Sequence, residues 1–333
     1  MSFSVIVCAY NPEAKIFEKL LFAMNSFASS LTSYEIIIVD NNSQPALKES
    51  DILNKFLKQN ENIVLIEEKA PGLTLARIAG VKKARYEWII FFDDDNEPAS
   101  DYLERATELI HNYPEAGCWG PGRIQVEYFG KNVSDNKWLQ KIKPVFQEKY
   151  VDGVQLSDKK EWMDCYPPGT GLIVKKNILS EYIKQVELKN YTLSDRKGRS
   201  LSSGGDVQIV FTGIKMGYKA GIASTLKLTH HIKSDKTKLK YLLRLIYGTG
   251  SSYIKAYNQV FFDTPIDCRY AGNMEILKIL YFHLKTRLLK NGYKQFLVDF
   301  ATRMGEINSR YICNEQVGKP ALLLTFEKLI GSN

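Results

Sequence analysis

The chain has 333 residues, of which 44% are hydrophobic, 12% aromatic and 25% charged. This length predicts one large domain or two modest ones, and the composition excludes an intrinsically disordered chain. No stretch approaches the ~18 consecutive apolar residues of a membrane-spanning helix. The first apolar run follows no Lys or Arg and precedes no small-residue cleavage site, which favours a strand over a signal peptide. Five scattered cysteines without a CxxC pair favour a reducing cytoplasm over a disulfide framework or a zinc site.

Short strand patterns alternate with helical patterns over the first 120 residues. Strands are predicted at Phe3–Cys8, Glu35–Val39, Ile63–Ile66 and Trp88–Phe92, and helices at 13–29, 73–84 and 99–112. This alternation predicts βαβ units, hence an α/β fold with a mostly parallel, Rossmann-like central sheet flanked by helices. In such sheets ligands bind beyond the carboxyl ends of the strands.

The remaining chain divides into a less regular part and a helical part. Residues 120–205 are interrupted by Gly and Pro, with one further strand predicted at Gly171–Val174. A helix is predicted at 206–216, one or two short strands at 219–231, and helices from about 234 to the end.

Polar, turn-forming residues follow three of the predicted strands. They are Ala9-Tyr10-Asn11-Pro12, Asp40-Asn41-Asn42-Ser43 and Asp93-Asp94-Asp95-Asn96. Asp and Asn are also ordinary turn residues. The three consecutive aspartates, however, leave an apolar strand directly and repel one another unless a cation neutralises them. Mg²⁺ and Mn²⁺ suit carboxylates and bind one or two of them together with substrate phosphates, so a divalent-metal site for a phosphate-bearing ligand is predicted.

Five segments follow one another in chain order: VIVCAYNP, EIIIVDNNS, APGLTLARIAG, YEWIIFFDDDNEP, which carries a DXD-type motif, and GGDVQI. Together they resemble family 2 glycosyltransferases of the GT-A fold. The resemblance covers about residues 1–231. The sequence departs from the family pattern at Cys8, where Pro is usual, at Asn41, where a second Asp is common, at Ile78, where Asn is usual, and at Gly205, where Glu is frequent.

The resemblance implies a role for each matching residue. Nucleotide-sugar contacts are implied for Ala9, Tyr10, Asn11, Asp40, Asn41, Arg77, Asp93, Asp94 and Gly171, with Asp40 accepting a hydrogen bond from a pyrimidine ring. Metal contacts, to Mn²⁺ or Mg²⁺, are implied for Asp95, Asp93 and His230. Asp206 stands where the family keeps its general base, and acceptor contacts are assigned to Trp119, Trp162 and Gly205. The alternative for Asp206 is a helix N-cap. The alternative for His230 is a purely structural role, and for Trp119 and Trp162 it is burial in the core.

The predicted organisation is a GT-A catalytic domain at 1–233, with a nucleotide-binding half at 1–120 and an acceptor half at 121–233, followed by a basic, mostly helical region at 234–333. The predicted function is metal-assisted transfer of a sugar from a nucleotide-diphosphate sugar, for which a UDP-sugar is the preferred prediction, with inversion at the anomeric carbon. The predicted acceptor is a hydroxyl of a glycan or of a lipid-linked acceptor, in polysaccharide biosynthesis. The alternatives are a catalytically silent nucleotide-sugar-binding protein and a sugar-phosphate nucleotidyltransferase, although the latter should carry a Gly-rich, basic loop after the first strand and AYNPEAK is not one.

The positive charge is concentrated in the C-terminal region. The net charge is +8, and residues 234–333 carry 15 Lys plus Arg against 8 Asp plus Glu, which leaves +1 for residues 1–233. Residues 236–260 and 273–294 combine this charge with apolar residues at helical spacing, which predicts peripheral contact with the inner face of a membrane. Packing against the catalytic domain or a second copy, as a homo-oligomer, is the alternative. No nucleic-acid motif accompanies the charge, so nucleic acid is not a predicted partner.

Overall fold

The computed structural model describes residues 1–29, 32–130, 136–193, 195, 201–314 and 316–332. The strands are β1 (Ser2–Ala9), β2 (Ser33–Asp40), β3 (Ile63–Glu67), β4 (Trp88–Asp93), β5 (Asn96–Pro98), β6 (Ala116–Phe129), β7 (Lys149–Tyr150), β8 (Val154–Ser157), β9 (Leu172–Lys175) and β10 (Lys219–Lys233). The α-helices are α1 (Ala14–Asn25), α2 (Asp51–Gln59), α3 (Leu73–Lys83), α4 (Tyr102–Asn112), α5 (Lys137–Lys141), α6 (Lys176–Glu187), α7 (Gly205–Lys215), α8 (Leu239–Val260), α9 (Asn273–His283), α10 (Leu289–Tyr311) and α11 (Ala321–Ile330).

The chain forms two compact units. The first consists of Met1–Leu188 with Ile209–Ser234, and the second of Lys189–Gln208 with Asp235–Asn333. The domain boundary between residues 233 and 234 remains a prediction from the sequence.

The first unit contains one mixed sheet with the strand order β3-β2-β1-β4-β9-β6-β10-β5, in which β7 also pairs with β6 and β8 with β10. The neighbours from β3 to β4 are parallel, as predicted. Beyond β4 the sheet is mixed: β6 and β10 pair parallel, whereas β9 runs antiparallel to both β4 and β6, and β5, β7 and β8 also pair antiparallel. The short β9 follows an irregular segment and not a crossover helix, so the right-handed parallel connection does not arise there.

The parallel strands are buried on both faces, which explains their unbroken apolar sequences. Phe3, Val5 and Val7 of β1 pack in the core cluster that also contains side chains of α1, α2 and α4. On the other face Ile6 lies so close to Gly80 of α3 that any side chain at residue 80 would collide with it. The sheet is therefore the middle layer between helices.

The register of the parallel strands aligns the polar strand ends. Ala9 of β1 lies beside Asp40 of β2, and Cys8 lies beside Asp93 of β4. The segments that follow these three strands consequently leave the sheet at one edge, as the sequence predicted from the parallel pattern.

The second unit is built mainly from helices. Its core cluster draws Leu243 and Tyr247 from α8, Phe300 and Met304 from α10, and Phe326 from α11. None of the helices in the described residues is both long and apolar enough to cross a bilayer.

Glu35, near the start of β2, hydrogen-bonds to Ser4 and Arg85, and its contribution to stability is expected to depend on pH. This residue is 4% exposed and accepts hydrogen bonds from the Ser4 hydroxyl (2.6 Å) and from the backbone N–H (2.7 Å) and Nε (2.8 Å) of Arg85. Burial opposes the charge, but these donors lower the pKa of Glu35 below its ordinary 4.5. We expect Glu35→Gln to lower the free energy of unfolding by about 1–3 kcal/mol at neutral pH.

The sign of the linkage sets the pH range of that effect. Because the pKa of Glu35 is lower in the folded state, its stabilisation is complete above the unfolded pKa and is lost as pH falls through the folded one. Urea unfolding at neutral pH and at about pH 3 should therefore show a difference between wild type and Glu35→Gln that shrinks in acid. Glu115→Gln, which removes an exposed pairing with Lys219 at 3.7 Å, is the control and should change stability by less than ~1 kcal/mol. An equal Glu35 effect at both pH values would contradict the assignment.

Candidate active site

The loops after β1 and β2 are tied together by side chains of the predicted nucleotide site. The Asn11 backbone N–H donates to Ser43 Oγ (3.0 Å), and the Gln44 N–H donates to Asn11 Oδ1 (2.7 Å). Asp40 is 3% exposed, and its two oxygens accept from the N–H groups of Ser43 (2.9 Å) and Leu47 (2.8 Å). Each carboxylate oxygen retains a second lone pair, so these bonds leave Asp40 able to accept from a ligand.

Asn41 connects the end of β2 to the loop that precedes α3. Its amide nitrogen donates to the carbonyls of Glu68 (3.1 Å) and Ala70 (2.8 Å), and its Oδ1 accepts from the Gly72 N–H (2.9 Å). An Asp at this position could not donate to the two carbonyls, which gives a structural reason for Asn where the family pattern commonly has Asp. Both amide hydrogens are used in this way, so Asn41 positions this loop, whereas its predicted contact with a nucleotide is untested.

The three consecutive aspartates are directed to three different partners. Asp93 Oδ2 accepts from the Thr170 hydroxyl at 3.4 Å, and Asp94 Oδ2 accepts from the Tyr10 backbone N–H at 3.1 Å. Asp95 is buried and its Oδ1 lies 3.2 Å from the His230 Nε2. This divergence relieves the mutual repulsion that the sequence alone suggested.

The contact between Asp95 and His230 has an informative proton arrangement. His230 Nδ1 lies 2.9 Å from the Phe146 carbonyl oxygen, which can only accept, so Nδ1 carries a hydrogen. In a neutral imidazole Nε2 then presents a lone pair to the Asp95 carboxylate at 3.2 Å. The same Asp95 oxygen also accepts from the Asn96 side-chain amide at 3.2 Å.

The donor set at this contact fits one part of a divalent-metal site. A carboxylate and an imidazole whose other nitrogen donates to a backbone carbonyl form a common pair of metal ligands with their supporting bond. The described residues contain no cluster of three or more His, Cys, Asp or Glu side chains placed as ligands. The structure thus brings two of the three predicted ligands together, Asp95 and His230, while Asp93 is directed to Thr170.

Arg77 of α3 and Cys8 of β1 are both buried. Arg77 in α3 is 5% exposed, and its guanidinium carbon lies 5.5 Å from the centroid of the Phe91 ring. Burial raises the pKa of the Cys8 thiol to about 12, against the opposing influence of the Arg77 charge. Cys8 is therefore a neutral thiol at physiological pH and not a candidate nucleophile.

Three of the residues predicted to contact the nucleotide sugar are Ala9, Tyr10 and Gly171, and they differ in burial and in hydrogen bonding. Ala9 is buried and its carbonyl accepts the Asn41 N–H, and Tyr10 is 60% exposed at the sheet edge. Gly171 has φ +69°, and its carbonyl accepts the Tyr102 hydroxyl at 2.7 Å. A side chain at residue 171 would collide with Tyr102 and Leu228, so packing alone already requires glycine there.

The two tryptophans assigned to the acceptor differ in exposure. Trp119 is 0% exposed and packs edge-on against Tyr113 in the core, so the expectation that it stacks on an acceptor sugar was wrong. Trp162 is partly buried and packs edge-on against Tyr166 and Phe211. Its acceptor role remains a prediction.

In the second unit, Asp195 caps the start of α7 beside the predicted base. Asp195 is 3% exposed, and its Oδ1 accepts the N–H groups of Gly204 (2.8 Å) and Gly205 (2.7 Å). Asp206 follows within the first turn and accepts the Val207 N–H at 3.0 Å. Asp195 thus accepts the N–H groups that precede Asp206, while Asp206 accepts that of Val207, so both carboxylates hydrogen-bond to the start of α7.

Gly205 is required by the same contact, which gives a second prediction. A Cβ at residue 205 would overlap the Asp195 carboxylate, and a Glu there, as in the family pattern, would displace it. We expect Gly205→Ala to lower the free energy of unfolding by about 1–3 kcal/mol. In Asp195→Ala the overlap is gone, so the double variant should cost less than the sum of the single ones in a urea double-mutant cycle. Additive effects would show that the two residues do not interact.

Sequence reasoning missed three residues of this region. Thr170 contacts Asp93, Lys233 Nζ donates to the Asn11 carbonyl at 3.2 Å, and Asp195 caps α7. Thr170 directly precedes Gly171, to which the resemblance assigns a nucleotide-sugar contact, but Lys233 and Asp195 belong to no local motif. Their partners lie far away in sequence or across a segment without periodicity, so no pattern in the sequence identifies them.

A cleft of about 360 Å³ opens elsewhere on the first unit. It is lined by residues of β5, β6, β7 and β10, among them Arg123, Tyr150 and Thr229. Thr229 and His230 are consecutive in a strand and point to opposite faces of the sheet. The cleft is therefore on the face away from the His230–Asp95 contact.

Comparison with known proteins identifies the family. The sequence profile described as glycosyl transferase family 2 matches residues 4–178, which is more than half of the chain. Glycosyltransferase AglE of Haloferax volcanii is 35% identical over 108 residues, 32% of this chain and 34% of the relative. Poly(ribitol-phosphate) beta-glucosyltransferase of Bacillus spizizenii is 36% identical over 107 residues, 32% of this chain and 16% of the relative. The matched segments thus span 34% and 16% of the length of these two curated relatives.

A solved structure supports the fold. The mannosyltransferase PcManGT from Pyrobaculum calidifontis, in complex with GDP-Man and Mn²⁺, superposes with a TM-score of 0.52 at 16% identity, covering 98% of this chain and 79% of that one. At this identity the likeness speaks for the fold alone, and it agrees with the helix-flanked sheet described above. The predicted α/β fold of the GT-A type is thus confirmed, and the chain belongs to glycosyl transferase family 2.

Proposed function

We propose that this protein is an inverting glycosyltransferase that moves a sugar from a nucleotide-diphosphate sugar, most readily a UDP-sugar, to a hydroxyl of a glycan or lipid-linked acceptor. The observation that carries the proposal is the Asp95–His230 contact at the carboxyl end of the sheet, beside the loops that follow β1 and β4. Family membership supports the reaction class. It also argues against the nucleotidyltransferase alternative.

Asp206 acts as the general base in this proposal. Its carboxylate takes the proton of the acceptor hydroxyl while the oxygen attacks the anomeric carbon and the bond to the leaving diphosphate breaks. A single displacement of this kind inverts the anomeric configuration. Asp195 supports the role by accepting the N–H groups of Gly204 and Gly205, so capping these two groups does not require Asp206.

Asp95 and His230 are the residues that would hold a divalent metal. A bound Mn²⁺ or Mg²⁺ supplies Lewis-acid stabilisation to the charge of the leaving diphosphate. Mg²⁺ and Mn²⁺ commonly use one or two protein ligands plus phosphate oxygens, so a pair of ligands suffices. Mn²⁺ accompanies GDP-Man in the mannosyltransferase of similar fold, which supports the choice of metal. In this proposal the nucleotide sugar is contacted by Asp93, Asp94 and Arg77.

The acceptor is part of the same proposal. The relatives include a poly(ribitol-phosphate) beta-glucosyltransferase, whose name describes transfer of glucose to a polymer and supports a polymeric acceptor here. The direct experiment incubates the protein and Mn²⁺ with UDP-, GDP-, dTDP- and CMP-sugars and measures the free nucleotide released by transfer to water. Release from one donor class that requires metal supports the proposal. Metal-dependent donor binding without release would indicate a silent binding protein.

A further inference from the structure

The two basic amphipathic segments predicted in the C-terminal region behave differently in the structure. The first forms α8, whose apolar residues Leu242, Leu245 and Tyr247 are buried within the second unit. The second begins with α9, in which only Ile276 and His283 are buried. The amphipathic pattern of α8 is therefore explained by packing inside the unit, whereas that of α9 is not.

The outward face of α9 carries several large exposed apolar side chains. The exposed fractions are 69% for Met274, 44% for Leu277, 67% for Tyr281 and 58% for Phe282, and Leu284, directly after the helix, is 38% exposed. At roughly 100° per residue the first four fall within an arc of about 140°. We call the face formed by these four residues the α9 face. Contiguous exposed apolar surface of this kind marks an interaction site.

The inward side of α9 fixes this orientation. Ile276 is 2% exposed within the core cluster of the second unit, and His283 packs edge-on against Phe300. A rotation of the helix that hid the α9 face would expose these buried groups. The apolar face is thus a stable feature of the folded unit.

Two lysines indicate what covers the α9 face. Lys278 lies within the apolar arc, Lys285 lies in the π-helical turn Leu284–Leu288 directly after α9, and both are exposed. Within the described residues neither forms an ion pair at 4.0 Å or less. A symmetric contact between two copies would bring identical faces, and so these like charges, together. An anionic lipid surface can bind both the lysines and the apolar side chains. The lysines reach the headgroups, while Leu277, Tyr281 and Phe282 enter the boundary between headgroups and acyl chains.

We propose that the α9 face docks this protein on the surface of an anionic lipid bilayer, with the helix lying in the plane of the interface. Tyrosine and phenylalanine beside lysine suit this position, since aromatic rings are enriched at membrane interfaces and Lys is attracted to anionic headgroups. The net +7 of residues 234–333 favours the same surface. The inference does not depend on the proposed reaction, because docking is measured without a donor.

The test is cosedimentation of the full chain with vesicles of phosphatidylglycerol and phosphatidylcholine at low salt. Wild type should bind, and should bind pure phosphatidylcholine vesicles much more weakly. The apolar variant Leu277→Ser/Tyr281→Ser and the charge variant Lys278→Glu/Lys285→Glu should each bind at least about tenfold more weakly. All substituted side chains are exposed, so thermal melting should be unchanged.

Matched controls make the same chemical changes elsewhere on the surface. Phe22→Ser removes an aromatic side chain that is 76% exposed on α1, and Lys83→Glu reverses an exposed charge on α3. Both should bind vesicles as wild type does. Failure of wild type to sediment with the anionic vesicles, or wild-type binding by both α9 variants, would overturn the proposal. A dimer in size-exclusion chromatography that the α9 variants dissociate, with vesicle binding unchanged, would show that a second copy covers this face and would also overturn it.

Discussion

Replacing Asp206 with Asn is expected to lower the turnover number for release of nucleoside diphosphate by about 10²–10⁴-fold. The amide keeps the size of the side chain and its ability to accept the Val207 N–H, but it cannot take a proton from the attacking hydroxyl. The affinity for the donor should change little, because the base acts on the acceptor. Turnover is measured with the donor found in the screen, and donor affinity by thermal shift.

Two comparisons isolate the chemical role of Asp206. Asp51→Asn makes the same change at an exposed position in the first turn of α2 and should leave turnover unchanged. Asp195→Asn retains an oxygen that can accept from Gly204 and Gly205, so it should reduce turnover far less than Asp206→Asn. If Asp206→Asn keeps near wild-type turnover, Asp206 is not the base and the mechanism must use another group.

The parallel half of the sheet was predictable because its signal is local. β1, β2 and β4 are short, mainly apolar runs buried on both faces; β2 ends in Asp40 and β4 in Asp93, and Tyr10 directly follows β1. The structure extends each of these predicted strands by at most two residues at either end. The shared edge at which their ends meet follows from parallel pairing, so the general location of the candidate site was also within reach of the sequence.

The mixed half of the sheet was not predictable in the same way. β6 continues without interruption through Gly120, Pro121 and Gly122, where the sequence indicated a break. A side chain at residue 120 would collide with Pro167, and one at residue 122 with the backbone of Ala223, so these glycines serve close packing between distant segments. Likewise β10 is one strand of 15 residues where one or two short strands were predicted. Such contacts are long-range, and periodicity in one segment does not report them.

Within the candidate site, residue types were predictable but partners were not. The aspartate run and the paired histidines are visible in the sequence, whereas only the register places His230 beside Asp95 and sends His231 to Glu97 on the other face. Asp195 illustrates the limit more strongly, since its partners Gly204 and Gly205 are joined to it by a segment without a regular pattern.

Replacing Asp95 with Asn is expected to abolish the metal-dependent part of nucleotide binding. In wild type, UDP, GDP, dTDP or CMP with Mn²⁺ should raise the melting temperature, and a ligand at about 100 times its Kd stabilises the folded protein by about 2.7 kcal/mol. The Asn amide has no charge and is a poor ligand for Mn²⁺ or Mg²⁺, so the increment that depends on metal should disappear. Asp51→Asn should retain the full shift. If no nucleotide shifts wild type with or without metal, the aspartates do not form a nucleotide-metal site and the proposed donor site loses its physical support.

His230 separates a metal site from a simple ion pair at the same contact. If Asp95 and His230 share a cation, His230→Gln should weaken the metal-dependent shift together with Asp95→Asn, since both variants remove a ligand of the same ion. If a proton lies between them instead, His230→Gln should lower the melting temperature of the free protein, because a buried carboxylate loses its partner, and leave the metal-dependent shift intact. The Phe146 carbonyl, which fixes the hydrogen on Nδ1, is present in both cases, so the two outcomes differ only in what lies between Nε2 and the carboxylate.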